Sequence, residues 1–283
     1  RAPFPPRPPR APLSPQHATN AKRSHDPFPA DEAHAIRRHY LAMVSEVDEM
    51  VGQVLSDLDR AGLSENTIVV FFSDHGDMQL EHRMWLKNAF YEATARVPLI
   101  FAGPGIEPTG ARDELASLID LRPTLAELMG RATPPDADGR SLVPALRGGG
   151  IAPGSVLCQY HSNMMCTGGF MLREGDWKYV AFAGYDAQLF NLRDDPAELN
   201  NLASAERERA AAMDAALRER VAVDYIDRLA KTEDRQCFRA WRAAVDETTY
   251  QQTLSKLWPG FGQPQAERLE RWLNEGETAV RVD

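Results

Sequence analysis

The stretch Thr67-Ile68-Val69-Val70-Phe71-Phe72-Ser73-Asp74-His75-Gly76 decides the fold. Its first six residues are β-branched or aromatic, with no polar alternation beyond Thr67. Such a run predicts a strand buried on both faces, the kind found in the middle of a parallel sheet. The strand gives out at Ser73-Asp74-His75-Gly76, where Gly76 permits a turn. Two candidate metal ligands, Asp74 and His75, are therefore expected at the carboxyl edge of the sheet, where open α/β sheets bind ligands. Lys87 lies twelve residues beyond His75, close enough in sequence to fold back over the same edge.

Working outward, residues 31–58 carry Ile36, Tyr40, Val44, Val47, Met50, Val54 and Leu58 at three- and four-residue steps. This spacing predicts an amphipathic helix capped near Asp31 and stopped by Gly62. Helix, short turn and buried strand read as the second half of a crossover unit. Downstream, Val97 to Ala102 reads as another short strand ended by Gly103-Pro104-Gly105. A helix capped by Asp120 is expected to run through Met129, and a short one to begin after Ser141. Arg147-Gly148-Gly149-Gly150 through Pro153-Gly154 is the clearest linker.

Beyond the linker, Val156–Tyr160, Phe170–Arg173, Trp177–Phe182 and Gln188–Leu192 are strand candidates, with Glu174-Gly175-Asp176 as a hairpin turn. They predict a small antiparallel sheet, packed against the main part by a C-terminal helix spanning Ala203 to Leu229. Trp241, Trp258 and Trp272 mark residues 230–283 as packed rather than dangling. Residues 1–30, dense in Pro, read as an extended loop segment. The expected organisation is thus 1–30 loop, 31–150 the main α/β part, and 151–283 the antiparallel sheet with C-terminal helices.

The composition narrows the function. A hydrophobic content of 43% over 283 residues supports a real core, and a net charge of −9 argues against a nucleic-acid partner. No apolar run reaches transmembrane length. Cys158, Cys166 and Cys237 form no Cys-x-x-Cys pair and no zinc spacing. They read as buried free thiols, although Cys158 and Cys166 could pair across a hairpin. The compartment is not legible.

Each candidate residue has a plain reading beside a chemical one. Asp74 and His75 could hold a divalent cation, or be a turn aspartate beside a hydrogen-bonded imidazole. Lys87 could stabilise charge developing on an ester anion, or be a surface lysine. His82 could reach a pocket rim or serve structure. Arg96 reads as an ion-pair partner of Glu92. His161, on a strand end, could reach across to a substrate, with Asn163, Met164 and Met165 on the same rim. His17, His25, His34 and His39 read as surface or loop positions.

The ordered set Ser73-Asp74-His75-Gly76, Glu81-His82, Trp85-x-Lys87, Tyr91-Glu92 and Arg96-Val97-Pro98 resembles the C-terminal half of the sulfatase signature, within the alkaline-phosphatase superfamily. Asp120-Leu121-x-Pro123-Thr124, Asp138-Gly139-Arg140-Ser141, Trp177-Lys178-Tyr179 and Asp195-Pro196-x-Glu198-x-x-Asn201 continue the resemblance in order. It runs from roughly residue 31 to 205. Leu157 to Ala181 is most similar to arylsulfatase K-like members, then to choline-sulfatase-like ones. The resemblance implies an α/β fold, the C-terminal part of an alkaline-phosphatase-like mixed sheet sandwiched by helices, plus a small antiparallel subdomain.

It also implies a reaction and a site. The reaction is hydrolysis of O-sulfate esters of small molecules or saccharides, with Lys87 contacting the sulfate. Asp74 and His75 complete a divalent-cation site, Ca²⁺ by analogy, with Mg²⁺, Mn²⁺ or Zn²⁺ also admitted by this ligand type. His161 and His82 are substrate-binding candidates. The family nucleophile, a formylglycine made at Cys-x-Pro-x-Arg or its Ser version, matches nothing here: Cys158, Cys166 and Cys237 lack the motif. The nucleophile and two further aspartates are therefore expected on an N-terminal half outside this chain, and residues 1–283 alone are expected to be inactive. A phosphoryl or phosphonate ester hydrolase of the same superfamily, and a non-catalytic fragment used as a binding surface, are the rival readings.

Overall fold

The computed structural model describes residues 28–161, 167–257 and 263–274. Residues 1–27, with the Pro-rich run, and Asn163, Met164, Met165, Cys166 and Trp258 lie outside the described residues. Helix α1 spans Ala30–Arg60, a residue or two beyond the expected ends. Asp31 falls inside its first turn rather than at the cap, beside Glu32, where carboxylates suit the positive end of the helix. Gly62 takes φ +67° just past the end, as a helix stop requires. The helix meets the rest of the protein near its start. Ala33 is fully buried there, and Arg37 donates to Gln79 O (2.9 Å) and Glu81 Oε1 (2.8 Å). Further along, Leu41, Met43, Val44, Val47, Met50 and Val54 are exposed.

The expected strand is shorter and differently paired. Strand β1 (Val69–Phe72) runs antiparallel to β4 (Leu99–Ala102), with Val69 opposite Ala102 and Phe72 opposite Leu99. It is not a parallel strand buried on both faces: Phe71, Phe72 and Ile100 are exposed. The residue choice demands two apolar coverings, and the described residues of this chain do not supply them. Between the two strands lie β2 (Met78–Gln79), β3 (Trp85–Leu86), paired with it as a two-stranded ribbon, and the one-turn helix α2 (Glu92–Ala95).

Helix α3 (Leu121–Leu128) follows a 3₁₀ turn at Leu118–Asp120. Asp120 precedes α3 but does not cap it. Its carboxylate turns back to accept from Ser117 N and reaches across to Arg140 N, both 2.9 Å. Helix α4 (Val143–Leu146) comes next, with Pro144 in its first turn.

Strands β5 (Ser155–Tyr160), β6 (Gly169–Glu174), β7 (Trp177–Phe182) and β8 (Tyr185–Asn191) form an antiparallel meander in that order. Alternation sends successive side chains to opposite faces, and both faces are covered. On one, Phe170, Leu172, Tyr179 and Leu189 pack with Met213 and Leu217 of α5 (Arg207–Arg220). On the other, Met171, Val180 and Phe182 meet Phe90, while Phe190 meets Met78, Met84 and Tyr91. The C-terminal helix thus covers the face away from the β1–β4 part, and loops of that part cover the inner face directly.

The expected single helix over Ala203–Leu229 is two. α5 ends at Arg220, Val221 is extended, and α6 runs over Val223–Ala244. Helices α7 (Glu247–Leu257) and α8 (Gln263–Asn274) are the last of the described elements. Trp241 and Trp272 do pack: Phe238 lies 5.4 Å from Trp241 and 6.1 Å from Trp272, ring centre to ring centre. Cys158 and Cys237 are free thiols. Cys158 is half-buried, but Cys237 is exposed, against the expectation of burial.

Candidate active site

Asp74 and His75 follow directly from the end of β1, and Lys87 follows β3. The turn between them is built from backbone choices. Gly76 N donates to Thr94 O (2.9 Å), and a Cβ on Gly76 would stand 2.0 Å from the carbonyl oxygen of Ala93. Only glycine allows this approach, and it lays the strand end against α2. The return path carries four non-glycine residues at positive φ: Leu80 (73°), His82 (51°), Arg83 (58°) and Leu86 (65°). Each is a costly conformation for an L-residue, kept only where the surroundings over-determine it.

The result is a close trio. Lys87 Nζ lies 2.8 Å from His75 Nε2, and Asp74 Oδ2 lies 3.3 Å from the same nitrogen. His75 Nδ1 faces Gly76 O at 2.8 Å. A carbonyl only accepts, so Nδ1 carries the proton in the neutral ring and Nε2 offers its lone pair to the Lys87 ammonium. Asp74 is largely exposed, and its carboxyl is held below the usual range first by the His75 backbone N–H, 2.9 Å from Oδ1. Next to them burial pushes the Asp77 carboxyl up. The trio opens on a cleft of about 1730 Å³, bordered also by Arg96, Arg112, Tyr160 and Arg173.

Could this site hold a cation? An ionised carboxylate and an unprotonated ring nitrogen, 3.3 Å apart on an open edge, fit two positions of a coordination shell. Among the described residues no group of three or more His, Cys, Asp or Glu side chains joins into a fuller site. The fit is that of a partial shell.

The other two sequence candidates lie elsewhere. His82 stacks on Tyr91, 3.7 Å between ring centres and parallel to within 1°, with Nε2 3.1 Å from Ala197 O. Burial lowers its pKa to about 4, so at neutral pH it is an uncharged structural ring. His161 follows the end of β5 and turns toward α6, edge-on to Phe170 at 4.9 Å, with its pKa lowered by burial. The cleft is bordered there by Gln159 and Tyr160 instead. Arg96 makes no direct ion pair with Glu92, whose carboxylate is taken by Lys178 (2.6 Å) and Arg173 (3.1 Å), though its charge helps to hold that carboxyl low.

Sequence reasoning missed the cluster behind the trio. Lys178 is fully buried in β7, and its Nζ donates to Phe90 O (2.9 Å) and Glu198 Oε1 (2.8 Å) besides Glu92. Burial alone would raise the Glu92 carboxyl, but Lys178 and then Arg173 hold it low. At Glu198 burial wins over Lys178 and the carboxyl is raised. The available signal was a lysine between apolar neighbours in Trp177-Lys178-Tyr179-Val180, in a strand buried on both faces.

Comparison with known proteins decides what this arrangement belongs to. The family profile described as Sulfatase matches residues 7–131, and the one described as N-sulphoglucosamine sulphohydrolase, C-terminal, matches residues 80–224. The chain belongs to the sulfatase family. Arylsulfatase K of Xenopus laevis is 33% identical over 264 residues, covering 87% of this chain and 49% of the relative. A 2-O GAG sulfatase of known structure superposes with a TM-score of 0.64 at 32% identity, over 76% of this chain and 50% of that one. A further neighbour, solved in complex with its substrate D-glucosamine-2-N,6-O-disulfate, gives a TM-score of 0.57 at 27% identity, over 69% of this chain and 41% of that one. This sulfatase chain therefore spans about half the length of the relatives it matches, the half that the sequence resemblance indicated. The fold is that of the alkaline-phosphatase-like sulfatases, of which it represents the C-terminal part.

Proposed function

We propose that this chain supplies the anion-contacting and cation-contacting portion of a sulfuric ester hydrolase acting on a sulfated saccharide. The convergence of Lys87, His75 and Asp74 at one strand end carries the reading. Support for the substrate class comes from the neighbour solved with a glucosamine disulfate.

Lys87 is the catalytic residue of this portion. Sulfate transfer spreads negative charge over the departing and equatorial oxygens, and a fixed ammonium aimed at them lowers the barrier. Without a cation His75 Nε2 faces that ammonium and Gly76 O fixes the ring tautomer; the single Nε2 lone pair would pass to a bound cation and leave the ammonium free for the ester oxygens. Sulfatases generally use a divalent cation; Asp74 and His75 would hold it, and it would supply Lewis-acid polarisation of the ester there. The nucleophile, a formylglycine, and the remaining ligands belong to the family's N-terminal half. The exposed apolar residues of α1, β1 and β4 (Val47, Met50, Phe72 and Ile100 among them) offer that half its packing surface.

The experiment is reconstitution. The chain is paired with a segment carrying Cys-x-Pro-x-Arg, and sulfate release from a sulfated glucosamine is followed beside hydrolysis of a phosphonate monoester. Sulfate release should dominate and fall by about 10²-fold or more in Lys87→Ala, the scale for deleting one preorganised charge-stabilising donor. Equal turnover by Lys87→Ala would defeat the assignment, and preferred phosphonate hydrolysis would move the protein to the rival activity.

A further inference from the structure

We infer that Glu198, backed by Lys178, is a positioning residue for Lys87, so that the antiparallel sheet sets the geometry of the anion-contacting lysine. The inference rests on the reading of Lys87 given above. Lys87 sits on a path with four non-glycine residues at positive φ within seven positions. At about 1–3 kcal/mol each, such a path does not hold itself. Its supports come from the Asp195-Pro196-Ala197-Glu198 turn, which meets the same inner sheet face, and from Lys178 in β7.

The supports bracket Lys87. On the upstream side His82 Nε2 meets Ala197 O at 3.1 Å while the ring stacks on Tyr91. On the downstream side Glu92 N donates to Glu198 Oε2 (2.6 Å), and Lys178 Nζ ties Phe90 O, Glu92 and Glu198 together. Glu198 is buried and itself adopts φ 55°, held in turn by its own N–H on Asp195 O (3.0 Å). The hold passes on to His75, because the segment after Glu92 supplies Thr94 O to Gly76 N and leaves no room for a Cβ there. None of these named bonds of Glu198 or Lys178 goes to Lys87 or His75. Their action is on the backbone that presents both side chains.

Glu198→Gln tests this by keeping shape while removing charge. If it does not fold, Lys178→Met combined with Glu198→Leu removes both charges and leaves Glu92 on Arg173. Inorganic sulfate is titrated into the 283-residue chain and into each variant, read on the backbone amide NMR signals of Lys87 and Asn88. Hydrogen exchange is measured over residues 80–92 and, separately, over β6–β8. The expected result is sulfate affinity weakened about tenfold or more, since misplacing a charged donor by an ångström has effects of this order or larger. Exchange over 80–92 should rise while β6–β8 stay unchanged. Unaltered sulfate affinity with an intact sheet overturns the inference, as does a parallel rise in exchange over β6–β8, which marks a merely structural role. If sulfate fails to shift Lys87 even in the unaltered chain, the anion-contact reading falls instead. Exchange alone then decides: faster over 80–92 upholds the clamp, unchanged refutes it.

Discussion

The β5–β8 sheet and the β1–β4 pair are made of similar residues and end in opposite situations. Phe170, Leu172, Val180 and Leu189 are fully buried, with α5 on one face and the loops around Phe90 and Tyr91 on the other. Phe71, Phe72 and Ile100, no less apolar, stand exposed, and so does the stripe Met43, Val47, Met50 and Val54 along α1. A sheet strand of this composition is stable only when both faces are covered. The difference teaches where this chain is self-sufficient and where it depends on apolar surface from elsewhere.

Deep truncations should break the symmetry of residue type most sharply. Phe170→Ala is expected to cost about 3–5 kcal/mol, the range for emptying a packed aromatic site. Phe72→Ala on the exposed strand should cost less than about 1 kcal/mol in the same urea unfolding series. Similar losses at both positions would mean that β1 is covered in solution.

A smaller effect probes the seam between the two regions. His82 has a folded pKa of about 4 against an ordinary value near 6.5. Above pH ~6.5 neither state binds the proton; between ~6.5 and ~4 only the unfolded chain does, so stability falls as pH falls through that window. Below ~4 both are protonated and the loss levels off. Allowing for the partial exposure of the ring, about 1–2 kcal/mol should disappear across the window. His82→Phe, which can keep the stacking on Tyr91, should flatten this part of the pH–stability curve relative to the unaltered chain. An unchanged slope would show that the ring is protonated in the fold.

The smallest change in stability is expected on α1. Val47→Gln and Met50→Gln should leave the unfolding free energy within about 0.5 kcal/mol, as exposed substitutions do. They should nonetheless reduce self-association measured by sedimentation, because they interrupt the apolar stripe. A large loss of stability from either one would place a partner of α1 within the chain itself.

The elements most legible in the sequence were those with a strong period. Helix α1 showed its three- and four-residue spacing, and β7 its apolar run with Glu174-Gly175-Asp176 before it. The pairing of β1 was not legible. A run of β-branched and aromatic residues specifies burial, not the direction of its neighbour, and here that neighbour is the antiparallel β4. The break at Val221 was hidden because neither Gly nor Pro marks it. Within the site, Asp74, His75 and Lys87 were placed together by strand logic and by resemblance. Lys178 and Glu198 each stood in a motif, but their pairing was not legible, since they are twenty residues apart in sequence and meet only through the sheet and the turn that follows it.

That buried pair also shapes which sequences can replace this one. Lys178 faces two carboxylates, Glu92 and Glu198, and Glu92 has Arg173 as a second cation. Loss of Lys178 strands the Glu198 carboxylate away from water, a step that typically costs about 3–5 kcal/mol. Loss of Glu198 instead leaves Lys178 on Glu92 and costs the smaller amount of removing the acceptor from Glu92 N. Exchanging Lys178 and Glu198 together for apolar residues of similar volume can be close to neutral. The route from one solution to the other therefore crosses an intermediate less fit than either end. Substitution at 178 and at 198 is coupled: a tolerated change at one position depends on what already stands at the other.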